Sequence, residues 1–480
     1  MRHFPILALA LSLMIAGLPG HLLADSEIRP PAGRTAELAP SSTIVRAPLG
    51  ERADGVLRED EAKGYSGVIL VAKDGEIVLR KGYGLANRSA AIPMTADSVV
   101  QIGSCTKDFT IVAILQLHER GLLNVKDPIT KYFKDVPEDK RSITIWHLLT
   151  QRSGLIDHIG GDFEPTTKEE IIRGAMATTL LFAPGSDSSY SNMAFNLLAA
   201  IIEDVSKQSF DEYLRDHICN PLGLRDTGFL LPNFDLKRVA HGYLGDEDRG
   251  IIIAKPHAPD GPYWNLRGAG GILSTVTDMF DFYTALWDNR LMKPETRDMR
   301  FTPGQSVMLA GSDLVQYFFY NHEPSAGIDI LLSSTSSAAK APQVIEQVRE
   351  ALGLVSEKRT RQVETSPRTA KQPPTPEARA RVDAFFLALA SGDADKYEAM
   401  ARENFTPDFL ARRTPEERKS LLERIREDFG TLSLSAVQMS GPKTVVFAIK
   451  GTTGMEGRVE LTLESGPLHR IERVAVNVGG

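Results

Sequence analysis

Cysteine is almost missing from this chain: among 480 residues only Cys105 and Cys219 carry thiols. Two cysteines cannot knit a disulfide scaffold or supply a set of zinc thiolates. They read as two separate small buried side chains, although the sequence leaves open whether they meet. Histidine is thin as well. Its ten residues form no His-x-His or His-x-x-x-His pair, so nothing calls for a metal, and no cofactor is indicated. The absence of Gly-x-Ser-x-Gly leaves an α/β-hydrolase triad without support. Positive charge is in deficit: 55 Lys and Arg stand against 62 Asp and Glu, a net charge of −7. That balance gives no electrostatic case for nucleic acid or an anionic membrane as partner.

Long apolar runs are missing too, except at the N-terminus. Arg2 and His3 precede an uncharged stretch from Phe4 to Leu18, Pro19-Gly20 breaks it, and Leu22-Leu23-Ala24 is suited to precede cleavage. The run is short for a membrane span and has the layout of a signal peptide, so residues 1–24 predict export to the periplasm or the medium. No cysteine lies near it, which argues against a lipoprotein anchor.

What remains is a soluble composition, 42% hydrophobic and 24% charged, on a chain too long for one ordinary core. Residues 25–54 open with Pro, Ala, Ser and Gly and read as a flexible leader. Ser66–Ala72 and Ile77–Arg80 alternate as strands around a Lys73–Glu76 turn, and Ser104–Glu119 turns helical and apolar. Helical patterns follow at Ile145–Leu149, Met193–Val205 and Thr277–Trp287. Strand chemistry returns at Leu314–Tyr320 and Ile328–Ser333, before a helix at Val344–Leu352. Strands at both ends with helices between predict an α/β (α+β) domain over 55–352: one antiparallel sheet completed by distant segments, with a helical lobe inserted. A Pro-rich, charged linker occupies 353–376. A small α+β domain spans 377–480, helices at Thr375-Pro376-Glu377 and Thr414–Glu417 preceding strands around Val459–Leu463 and Ile471–Val478. Its element order resembles a nuclear-transport-factor-type cone.

Ser104-Cys105-Thr106-Lys107 begins the central helix. Residues three apart share a helical face, so the amine can lie beside the hydroxyl. A serine hydroxyl becomes a useful nucleophile when a neighbouring base takes its proton, and burial lowers a lysine's pKa toward that task. The Ser104 backbone N–H at a helix start can also face an oxyanion. Tyr190-Ser191-Asn192 is the second element. In an extended tripeptide, positions one and three point the same way, so phenol and amide face one cleft. Each motif alone is cheap: Ser337–Lys340 also fits Ser-x-x-Lys, and Tyr263-Trp264-Asn265 also fits Tyr-x-Asn. The bland alternative for the first is an N-cap serine with a solvated lysine; Tyr190, in a loop that feeds a helix, has the placement such a site requires.

Together the pieces resemble the class C β-lactamase and D-alanyl-D-alanine carboxypeptidase superfamily over about residues 55–350. The order Ser-x-x-Lys, then Pro184-Gly185 and Tyr190-Ser191-Asn192, carries the resemblance. His147–Leu155, Asn220–Leu224 and Gly268–Gly271 with Ser274 agree with it. The resemblance implies an acyl-enzyme reaction on a small-molecule or peptide substrate, with Ser104 as nucleophile, Lys107 and Tyr190 managing its proton, and Asn192 holding a substrate carbonyl or the lysine. It also implies a strand bearing Lys or His, a small residue and Gly opposite the serine. Here that position falls on Leu309-Ala310-Gly311-Ser312. Gly311 keeps its place and Ser312 can offer a second oxyanion N–H, but the charged residue is leucine. Two expectations follow: an esterase or peptidase-like hydrolase weak against β-lactams, or a catalytically impaired binder of peptides or cell-wall fragments.

Overall fold

The structure, a computed structural model, describes residues 42–230, 233–335, 341–354 and, with short interruptions, 375–478. The expected signal peptide, nearly all of the linker and Ser337–Lys340 lie outside the described residues. The helix expected at Thr414 is described only in part.

A six-stranded antiparallel sheet organises the larger unit. Its strands are β1 (Ile44–Val45), β2 (Gly67–Lys73), β3 (Glu76–Tyr83), β4 (Val307–Asp313), β5 (Gln316–Glu323) and β6 (Ile328–Ser334). They lie in the order β1-β3-β2-β6-β5-β4. The central seam joins β2 to β6, with Val71 opposite Ile330 and Leu70 opposite Leu331. Both β2 and β6 are buried at nearly every position because both faces of the sheet are covered. The period of two then sorts the side chains. Val68, Leu70, Ala72 and Leu331 enter the main core against the helical lobe. Ile69, Val71, Ile330 and Leu332 enter a second core against helices α1 (Leu49–Glu61) and α6 (Ala341–Ala351), through Ala53, Leu57, Val344, Ile345 and Val348.

The helical lobe between β3 and β4 carries α2 (Thr106–Glu119), α3 (Ile145–Leu149), α4 (Asn192–Ser206) and α5 (Val276–Trp287). Helix α2 is buried over nearly all of its length and sits in the middle of the main core, which Phe109 and Ile111–Leu115 help to fill. Thr144, Ser191 and Thr275 cap the helices that follow them, each accepting a backbone N–H from the first turn.

Two readings need correction. Residues 42–54 are no flexible leader: Ile44 and Val45 pair with Arg80 and Leu79, and α1 buries Ala53 and Leu57. The strand read as starting at Leu314 starts at Gln316, because Leu314 and Val315 form the tip of the β4–β5 hairpin with φ of 44° and 61°. Left-handed backbone at such residues is rare, so tertiary pairing overrides their preference for strand.

The smaller unit has helices α7 (Pro376–Ser391), α8 (Ala394–Asn404) and α9 (Pro407–Leu410) ahead of a four-stranded antiparallel sheet of β7 (Leu432–Met439), β8 (Thr444–Gly451), β9 (Glu456–Leu463) and β10 (Ile471–Val478). Val382, Phe385 and Leu389 of α7 pack on Val445, Phe447, Val459 and Leu461 in a core of their own.

Candidate active site

Ser104 stands in a short 3-10 turn, Gly103–Cys105, that leads directly into α2. Gly103 has φ +52°, and any side chain there would strike the backbone of Gly311 and Ser312. Gly311 is the reciprocal case: a Cβ would collide with the Ile102 carbonyl and the Ser104 nitrogen. Two glycines thus let strand β4 and the serine turn touch backbone to backbone.

Lys107, one turn on from Ser104 and the second residue of α2, is buried with only 6% exposure. Its Nζ lies 3.1 Å from Ser104 Oγ, and it donates to Asn192 Oδ1 and to the Ala269 carbonyl, each at 2.7 Å. Burial pulls its pKa down to about 8, against the opposing pull of the Asp157 and Asp313 carboxylates. Its three contacts, to Ser104 Oγ, Asn192 Oδ1 and the Ala269 carbonyl, match the three N–H donors of the ammonium. When the amine gives up one proton and keeps its bonds to Asn192 and Ala269, its lone pair faces the serine hydroxyl.

Tyr190 OH is 2.6 Å from Ser104 Oγ, and its ring lies 4.8 Å from Lys107 Nζ. Desolvation raises the phenol's pKa, so at neutral pH it is a proton donor rather than a phenolate. The next residue, Ser191, is extended (φ −148°, ψ 109°) and caps α4, whose first residue is Asn192. That local geometry turns both the phenol and the amide toward Lys107.

The structure therefore brings Ser104, Lys107, Tyr190 and Asn192 into one hydrogen-bonded group. Asn192 holds the lysine, the second of the two roles the sequence left open. Gly311 and Ser312 lie on β4 against the serine turn. Leu309, Gly311 and Asp313 share the face of that strand that looks toward the lobe, and Leu309 packs partly buried on the main core. No cation takes the place of Leu309 on this face. Its charged member is Asp313, whose Oδ2 accepts the Gly271 N–H at 3.0 Å and steadies the loop that presents the Ala269 carbonyl. The second Tyr-x-Asn match serves elsewhere: Asn265 is buried and donates to Gly161 O and Thr166 Oγ1. Both cysteines are buried and free.

Sequence reasoning missed several supports. Asp157 accepts the Asn192 N–H on Oδ1 at 3.0 Å and the Met193 N–H on its carbonyl at 2.7 Å. Gln151 grips the chain on both sides of Tyr190, and Ala269 acts through its carbonyl. Backbone acceptors leave no trace in residue type; only the nearness of Gly268–Gly271 to a helix start hinted at the third.

Comparison with known proteins identifies the family and the fold. The family model described as Beta-lactamase matches residues 53–318, more than half of the chain. PbpX of Bacillus subtilis (strain 168) is 31% identical over 275 residues, which cover 57% of this chain and 68% of PbpX. Among solved structures, the D-amino acid amidase of Ochrobactrum anthropi SV3 superposes with a TM-score of 0.54 at 23% identity, covering 64% of this chain and 99% of the amidase. EstCE1, a hydrolase with promiscuous acyltransferase activity, gives 0.53 at 21%, covering 63% and 98%. At such identities these two structures speak for the fold alone. With an antiparallel sheet closed by distant strands, a helical lobe between them and a family match across both, the chain belongs to the β-lactamase family of serine hydrolases.

Proposed function

We propose that the larger unit hydrolyses an ester or amide through an acyl-enzyme on Ser104. The observation that carries this reading is the pair of contacts on Ser104 Oγ, 3.1 Å to the buried Lys107 amine and 2.6 Å to the Tyr190 phenol. Lys107 takes the hydroxyl proton as Oγ bonds to the carbonyl carbon. The oxyanion faces the backbone N–H groups of Ser104 and Ser312. Tyr190, still protonated, then gives a proton to the leaving alcohol or amine and recovers one by way of Lys107. Water attacks the acyl-serine by the same route in reverse and frees the acid. The amidase and the hydrolase with promiscuous acyltransferase activity, both of this fold, support an ester or amide as the bond broken. The N-terminal segment supports action outside the cytoplasm.

A fluorophosphonate probe tests the proposal. It is expected to label the wild-type chain at Ser104, to fail on Ser104→Ala, and to react at least about a hundredfold more slowly with Lys107→Ala. Labelling that survives Ser104→Ala refutes it. Leu309 favours one rival, a binder of peptides or cell-wall fragments that uses the same cleft without turnover. A wild-type chain that no probe labels, yet that retains such fragments, would establish that rival.

A further inference from the structure

Tyr190 is half exposed, at 50%, and sits in a stretch without helix or strand that runs from Pro184 to Ser191. A side chain so placed does not fix itself, yet its hydroxyl must be held within a few tenths of an ångström to move a proton. The residues that follow are well anchored. Ser191 Oγ donates to the Ile156 carbonyl at 2.7 Å, and Asp157 receives the N–H groups of Asn192 and Met193. Those bonds fix the start of α4. They do not reach back across Tyr190.

Gln151 does. It follows α3 in the left-handed region, φ +59°, a conformation costly for a residue with a side chain. In that conformation its carbonyl accepts the Ser189 N–H at 3.0 Å and its side-chain Oε1 accepts the Ser191 N–H at 2.9 Å. One residue thus holds the peptide on either side of Tyr190. Its neighbour Arg152 ties down the same loop further upstream, its carbonyl accepting the Gly185 N–H at 2.8 Å and its guanidinium donating to the Gly185 carbonyl. Strain accepted at a position that grips a reacting segment on both flanks has a functional meaning. We propose that Gln151 is a positioning residue that holds the Tyr190 hydroxyl against Ser104 Oγ, so that acylation depends on its side-chain carbonyl.

This inference rests on the hydrolase reading above, and a double-mutant cycle on the full chain separates the two. The second-order rate of fluorophosphonate labelling at Ser104 is measured for wild type, Gln151→Met, Gln151→Glu, Tyr190→Phe and the Met/Phe double variant. Methionine keeps the length and loses the acceptor, so the rate is expected to fall about tenfold or more, toward that of Tyr190→Phe. Glutamate keeps an acceptor oxygen and is expected to stay within about threefold of wild type. In the Tyr190→Phe background, Gln151→Met is expected to change the rate less than about twofold. With a nitrophenyl ester the same loss is expected in kcat with KM little changed. Should Gln151→Met fail to fold, Gln151→Gly takes its place in the cycle, since glycine accepts φ +59° and keeps the backbone carbonyl. A wild-type rate in the variant, or an equal loss with and without the Tyr190 hydroxyl, overturns the proposal while leaving the hydrolase reading intact. A wild-type chain never labelled at Ser104 removes the reaction in which Gln151 has its part, and this inference with it.

Discussion

Substituting lysine for Leu309 introduces a positive charge on the site-facing side of β4, where the sequence resemblance implied one. This position lies two steps before Gly311, about 6.6 Å along an extended strand, and Gly311 lies against the Ser104 nitrogen. A lysine stem is long enough to bring its ammonium over that interval. With the ammonium carried over Gly311, Asp313, two residues further along the same face, lies about 6.6 Å along the strand from it and attracts the new charge by about 1 kcal/mol across solvent. Leu309 is partly buried on the main core, and much of the lysine stem can keep those contacts, so the cost in stability is about 1 kcal/mol. The gain applies only to substrates that present a carboxylate there. A charge-assisted hydrogen bond contributes about 1.5–3 kcal/mol, one to two orders of magnitude in kcat/KM. The assay compares a chromogenic cephalosporin, which carries a carboxylate, with nitrophenyl butyrate, which does not. Wild type is expected to favour the ester strongly. Leu309→Lys is expected to raise cephalosporin turnover about 10- to 100-fold and to change the ester by less than about threefold. Equal efficiency of wild type on both substrates, or a variant that shifts both alike, refutes the role given to this strand.

Two further outcomes follow from buried ionisable groups. Acylation needs the neutral Lys107 amine, whose pKa burial lowers to about 8, so the labelling rate should climb with pH through that value and level off above it; a profile flat from pH 6 to 10 would remove lysine as the base. Asp108, buried beside it and accepting the Tyr283 hydroxyl at 2.8 Å, has its pKa raised by desolvation to about 6. A folded-state value above the unfolded one favours the fold at low pH and loses that advantage as pH rises through 6, about 3 kcal/mol in all. Asp108→Asn, which keeps an acceptor for Tyr283, should therefore stabilise the chain more at pH 7.5 than at pH 4.5; thermal melts showing the same difference at both values would contradict this.

The sheet could be read from sequence where a β-branched apolar run met a turn: Ser66–Ala72 and the Lys73–Glu76 turn announced a hairpin, and the Ser104–Glu119 helix announced the centre of the core. Reading failed where tertiary pairing outvoted local preference. Leu314 and Val315 turn a hairpin despite being strand formers, and a segment whose opening composition suggested a loose leader supplies α1. At the site, Ser104–Lys107 and Tyr190–Asn192 stood out as side-chain chemistry, although Tyr263–Asn265 shows how often such a pattern occurs by chance. The Ala269 carbonyl and the left-handed Gln151 were invisible, because a backbone acceptor or a φ angle has no letter in the sequence.

The seam between β2 and β6 bears on how the chain is made. Val71 and Ile330 sit opposite one another although about 260 residues separate them, so the middle of the sheet has no partner until nearly all of the larger unit exists. Synthesis from the N-terminus delivers β1–β3 and the whole helical lobe before the strand that completes their sheet. The order of strands in this sheet postpones the decisive pairing, so that β2 keeps one edge open through most of synthesis.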